Sequence, residues 1–153
     1  MTSDNDETFL AQFEAGTWPL ENMHHREHVK LAYLYLCRYP FDAATARICS
    51  SIKAFNAAHK VPDGPDRGYH ETMTQAWMRL IHCTLEEFGP AENADAFVDK
   101  HTQLLAKRAL LFFYSRDYIM SAEAKQRFVE PDLSPLPKSK KCLNNGQSAR
   151  KCH

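Results

Sequence analysis

The chain is poor in the features that would place it quickly. Only five of its 153 residues are glycine. Runs of β-branched residues are missing, which argues against a sheet protein. No apolar stretch approaches the roughly 18 to 20 residues of a membrane span. No Cys-x-x-Cys pair occurs, so a zinc site built on cysteine is not expected. The five cysteines, Cys37, Cys49, Cys83, Cys142 and Cys152, are odd in number and scattered, which predicts reduced thiols rather than a disulfide framework. Net charge of either sign is lacking too. Lysine plus arginine equals aspartate plus glutamate at 19 each, so no global field recruits nucleic acid or an anionic membrane. The polar, acidic start from Met1 to Thr8 has neither a basic head nor an apolar signal core, which predicts an unprocessed, cytoplasmic, soluble protein.

Helical periodicity is abundant. The length suits one domain able to bury a core unaided, with 44% apolar and 25% charged residues. The apolar spacing predicts helices at about Glu7–Glu14, His24–Arg38, Ala43–His59 with Asp42 as cap, Tyr69–Phe88, Glu92–Tyr114 with a break near His101, and Ala122–Phe128. Lys60 to Gly68, rich in proline, glycine and aspartate, predicts a loop. The fold expected is all-α, an irregular bundle of about five or six helices. Val129 to Pro137 is proline-rich and predicts an extended surface segment closing a domain of residues 1–137. Residues 138–153, with Lys138, Lys140, Lys141, Arg150 and Lys151 and no acid, read as a basic, loosely ordered tail.

Eight histidines are the feature to explain. His25 and His28, at i and i+3, share a helix face with Val29, Ala32 and Leu36, while Arg26, Glu27 and Lys30 face away. His70 falls within the apolar arc of Tyr69, Met73, Trp77 and Leu80, with Thr74 one turn on and Glu71 on the flank. Three inward imidazoles, or two and a carboxylate, form the ligand set of catalytic zinc sites, and two histidines with a carboxylate also suit iron. A His-x-x-His pair with His70 thus predicts one divalent ion (zinc, iron or copper) on His25, His28 and His70. Glu71 and Arg108 are the candidate catalytic residues. Tyr69, Thr74, Ser115 and Arg116 are the candidate substrate-binding residues. His101 is a reserve ligand. Without metal, a buried histidine beside a glutamate serves as a general base. The His-Glu-x-x-His arrangement of zinc proteases is absent, because position 74 is threonine.

A structural reading competes at each point. Histidines near helix starts commonly hydrogen-bond backbone, Glu71 matches a helix dipole, and an inward Arg108 more often pairs with a structural acid than with a substrate. Two functions therefore stand. One is a metal-dependent enzyme acting on a small polar molecule. The other is a non-catalytic domain that binds a ligand or partner and uses its histidines structurally. Nucleic-acid binding through the basic tail ranks behind both, and nothing in the sequence sets an oligomeric state.

The runs His25-x-x-His28, Tyr69-His70-Glu71-Thr72-x-Thr74, Tyr114-Ser115-Arg116 and Val129-Glu130-Pro131-Asp132-Leu133-x-Pro135-Leu136-Pro137 together resemble a family of small, uncharacterised bacterial helical proteins. The resemblance covers about residues 9 to 137. It implies a fold unit ending near Pro137 and implies no reaction.

Overall fold

Ser3 opens the first helix, and local chemistry explains where. Its hydroxyl accepts from the Asp6 N–H at 3.2 Å while the Asp6 carboxylate accepts from the Ser3 N–H, a reciprocal capping box. Helix α1 (Asp4–Ala15) ends at Gly16, whose φ of +78° is the left-handed cap glycine favours. A computed structural model describes residues 3–138. The predicted tail therefore lies, apart from Lys138, outside the described residues.

Five helices of seven residues or more build the molecule: α1, α2 (His25–Arg38), α3 (Phe41–Ala58), α4 (Glu71–Phe88) and α5 (Ala94–Lys100). Two short ones follow, α6 (Arg116–Ile119) and α7 (Ala122–Gln126). Three 3₁₀ segments, Leu20–Asn22, Thr102–Leu105 and Lys107–Phe112, complete the described residues, which contain no strand. No helix among them is long and apolar enough to cross a membrane.

Helix α2 is the axis. Val29 and every residue from Leu31 to Leu36 are buried, so it is apolar nearly all round, as a helix enclosed by others must be. Helices α1, α3, α4 and α5 pack against it. Aromatic pairs join these neighbours. Phe13 of α1 stacks on Phe55 of α3 at 4.7 Å, and Tyr33 of α2 stacks on Phe97 of α5 at 4.3 Å. The Tyr33 hydroxyl donates to the Ala91 carbonyl and accepts from its N–H, so its burial strands no polar atom.

The chain after α5 returns across α4 and forms a second, smaller core from Ala76, Leu110, Tyr114, Ile119, Ala124, Val129 and Leu136. Thr72, fully buried at the start of α4, donates to the Arg127 carbonyl at 2.8 Å and accepts from the Val129 N–H at 3.1 Å. Tyr114 donates to the Val129 carbonyl at 2.7 Å. Trp77 and Leu80 touch both cores.

Several boundaries differ from the periodicity. Pro40, not Asp42, caps α3, which leaves Asp42 as a first-turn acid. The break expected near His101 is present, with α5 ending at Lys100, but the half beyond it is two 3₁₀ segments rather than a helix running to Tyr114. The proline-rich segment is extended but not merely superficial, since Val129 and Leu136 are buried in the second core.

Candidate functional site

Between the two cores lies a cavity of about 720 Å³, within the usual range for small-molecule sites. Its floor is apolar and buried: Val29 and Ala32 of α2, Ile48, Ile52 and Phe55 of α3, Met78 and Ile81 of α4. The loop before α4 and residues 107–120 supply the edge. Gly68 stands in that loop at φ +84°, where a Cβ would meet the Asp63 carboxylate at 2.5 Å, so glycine is required.

Most of the residues predicted from sequence meet here. His25, His28, Tyr69, His70, Thr74, Arg108 and Arg116 all line the cavity, joined by Lys107, which sequence reasoning did not single out. Two predicted residues lie elsewhere. Glu71 turns away, toward a smaller hollow lined also by Lys53, Asp63 and Lys125. There its carboxylate accepts from the Tyr69 hydroxyl at 2.8 Å, from the Gln75 amide and from the Cys49 thiol at 3.8 Å, and Lys53 stands 3.9 Å away. As the first residue of α4, directly after the His70 cap, it is rotated off the cavity face. Ser115 caps α6 and is held by Asp132, whose two oxygens accept from its N–H at 2.8 Å and its hydroxyl at 2.6 Å. It does not line the cavity. The Ser115 bonds hold the Asp132 carboxyl below its ordinary range.

The three histidines share the cavity, but their ring nitrogens are spent differently. His70 is the N-cap of α4. Its Nδ1 accepts from the Met73 N–H at 3.1 Å, and its Nε2–H donates to the Ile119 carbonyl at 2.8 Å. One nitrogen must be bare and the other protonated, which fixes a neutral tautomer and leaves no lone pair for a metal. Burial pushes its pKa down, against the Ile119 carbonyl and with help from Lys125. His25, at the start of α2, donates Nε2–H to the Leu104 carbonyl at 2.9 Å, and its ring lies 4.7 Å from that of Trp77. His28 donates Nδ1–H to the His24 carbonyl, one turn back, at 3.1 Å. Burial lowers both pKa values, each against its own backbone acceptor and with Lys107 adding a like charge. The nitrogens left over are His25 Nδ1 and His28 Nε2.

The predicted set of three ligands is therefore corrected. Two imidazoles retain a free lone pair, the third does not, and the expected carboxylate is on the far side of its helix. Among the described residues no group of three or more His, Cys, Asp or Glu side chains is placed to hold a metal ion. His101, the reserve ligand, packs between the rings of Phe88 and Phe97 at 5.1 and 4.8 Å and is not among the cavity residues.

Arg108 also departs from expectation. It is exposed, because its segment is 3₁₀ rather than α, and the wheel that turned it inward does not apply. Among the described residues, Lys107, Arg108 and Arg116 make no ion pair. Among the described residues no acidic side chain lines the cavity. Lys107 was legible only as a neighbour of Arg108 in a basic pair. No family model, curated protein or solved structure matches the chain.

Proposed function

We propose that the protein is a small-molecule-binding helical domain whose ligand occupies the cavity between the two cores. The observation that carries this reading is the cavity itself: about 720 Å³ of space floored by buried apolar side chains of three helices, with few polar groups converging on it. The histidines serve as neutral, oriented lining. His25 and His70 also tie the edge to the helices, through Leu104 and Ile119 respectively. Two acceptor nitrogens, His25 Nδ1 and His28 Nε2, remain for a ligand's hydrogen-bond donor.

The test is to fill the space. Thr74 lines the cavity, and its hydroxyl bonds only locally, to the His70 carbonyl at 2.8 Å. Thr74→Phe should abolish uptake of an apolar fluorescent probe such as anilinonaphthalene sulfonate while the fold is retained by circular dichroism. Undiminished probe binding in that variant would show the probe lies elsewhere and would remove the reading.

A second reading, a metal-dependent enzyme, draws on one observation: His25 and His28 are one turn apart, both line the cavity, and each keeps a free ring nitrogen. Two protein ligands would then leave the remaining positions of a zinc, iron or copper ion to water and substrate. Metal analysis of untagged, chelator-free protein tests it. A stoichiometric ion lost in His25→Ala and in His28→Ala supports it, and no stoichiometric ion, with melting unchanged by added metal, removes it.

A further inference from the structure

We propose that the cavity takes an amphiphile with a single oxyanion head, a carboxylate or phosphate monoester on an apolar body, with the head held at the mouth by Lys107, Arg108 and Arg116. This rests on the reading of the cavity as a ligand site.

The polarity of the cavity is graded. Its deepest contributors are wholly apolar, with Val29, Met78 and Ile81 each about 1% exposed. Its exposed contributors include three cations, all from one short stretch, 107–116, beside the apolar Leu20 and Met120. None of them has an acidic partner among the described residues, and no carboxylate lines the cavity to compete for them. Among the described residues seven other cations pair with an acid, and Arg47, Lys60, Arg67 and Lys100, which make no ion pair, do not line the cavity. Arg26 and Lys30 pair with Asp95, and Lys125 pairs with Asp63. In a chain with equal numbers of acids and bases, three unmatched cations at one mouth form a local field that selects anions. Guanidinium groups present planar forks of donors that fit carboxylate and phosphate oxygens two at a time.

The interior adds the second half of the specificity. His25, His28 and His70 sit where a charge would be costly, and burial favours their neutral forms against the pull of their backbone carbonyl acceptors. The ring nitrogens left over on His25 and His28 are acceptors, so these imidazoles offer an anion no donor. The body of the ligand is therefore apolar, and the head stays outward. A polar molecule charged at both ends, or a cation, fits neither zone.

The experiment is a calorimetric titration with three series matched in chain length, from hexyl to tetradecyl and each below its micelle concentration: alkyl carboxylates, alkyl phosphates and alkan-1-ols. Wild-type protein should bind the best anion at least about tenfold more tightly than the alcohol of the same length, and the gap should narrow as salt rises. In the triple variant Lys107→Gln, Arg108→Gln, Arg116→Gln, the gap should close while alcohol binding is unchanged. These residues are exposed, so the variant retains the buried core, and its circular dichroism serves as a check. Anions and alcohols bound equally by wild type, or a gap that survives in the variant, would overturn the assignment of the head while leaving the cavity reading intact. Failure of every member of all three series would overturn both. Binding only to phosphatidylglycerol vesicles, with no monomeric amphiphile taken up, would also overturn the assignment by moving the cations to a membrane surface. Comparison of the carboxylate and phosphate arms identifies the head.

Discussion

Replacing His70 with alanine tests the structural role that the geometry gives this residue. Two hydrogen bonds disappear. The Met73 N–H loses its cap acceptor at 3.1 Å, and the Ile119 carbonyl loses its donor at 2.8 Å. An N-cap is worth about 1 kcal/mol. A buried carbonyl left without a partner costs about 1–3 kcal/mol, and the lower part of that range applies because the half-buried His70 site lies beside a cavity that water can enter. The sum is about 2 kcal/mol, or a melting temperature lower by about 4–8 °C for a chain of this size. His70→Asn separates the two parts. Its short side chain caps α4 but does not reach Ile119, so it should recover about half the loss. Urea unfolding followed by circular dichroism reads all three proteins. A His70→Ala loss below about 0.5 kcal/mol, or an asparagine variant no better than alanine, would refute the double anchoring.

Other outcomes follow from the same geometry. Asp6 is 2% exposed, closes the capping box of α1 and accepts from the Ala94 N–H at 3.0 Å, so Asp6→Ala should cost about 2–4 kcal/mol by chemical denaturation. Thr72→Val removes both side-chain bonds to the 127–129 segment, and should cost about 2 kcal/mol and speed limited proteolysis there. His25, His28, His70 and His101 all bind their protons less readily in the fold than when unfolded. In acid the unfolded chain therefore takes up more protons, so stability should be fully present above the ordinary histidine value of about 6.5 and should fall as pH drops below it. Melting curves across that range check this, and a flat profile would contradict it. Glu71→Gln should leave ligand uptake by the cavity unchanged within about twofold, since its carboxylate faces the other hollow.

Much of the fold was legible because the long helices repeat apolar residues at the helical period. The stripes of α3 and α4 and the stop at Gly89 need only local information. The break near His101 was expected, but not that the chain beyond it would leave the α-helix for 3₁₀ turns. Phe97, His101, Leu104 and Leu111 keep helical spacing, yet the Leu104 carbonyl is taken by His25, 79 residues earlier, rather than by the next turn of a helix. A long-range partner overrode a local period. The site divides along the same line. His70 is the cap just before α4 rather than part of its face, but that His25 and His28 face inward followed from their place on a helix. Which nitrogen each would spend did not, because the acceptors at Leu104 and Ile119 belong to segments whose path only the tertiary fold sets. Ser115 was singled out for its neighbours, but its hydroxyl belongs to Asp132. Arg108 and Arg116 were expected at the site, but their exposed edge with Lys107 was not, because a helical wheel turns Arg108 inward and the segment is 3₁₀.

The most direct test of the cavity as a ligand site is imidazole nitrogen-15 NMR during titration, at neutral pH, with an alkan-1-ol, whose hydroxyl can donate to the free ring nitrogens. The account predicts that the free nitrogens, Nδ1 of His25 and Nε2 of His28, shift saturably with one equivalent while His70 keeps its Nε2–H tautomer. No saturable change at His25 or His28, or shifts confined to histidines outside the cavity such as His101, would contradict it.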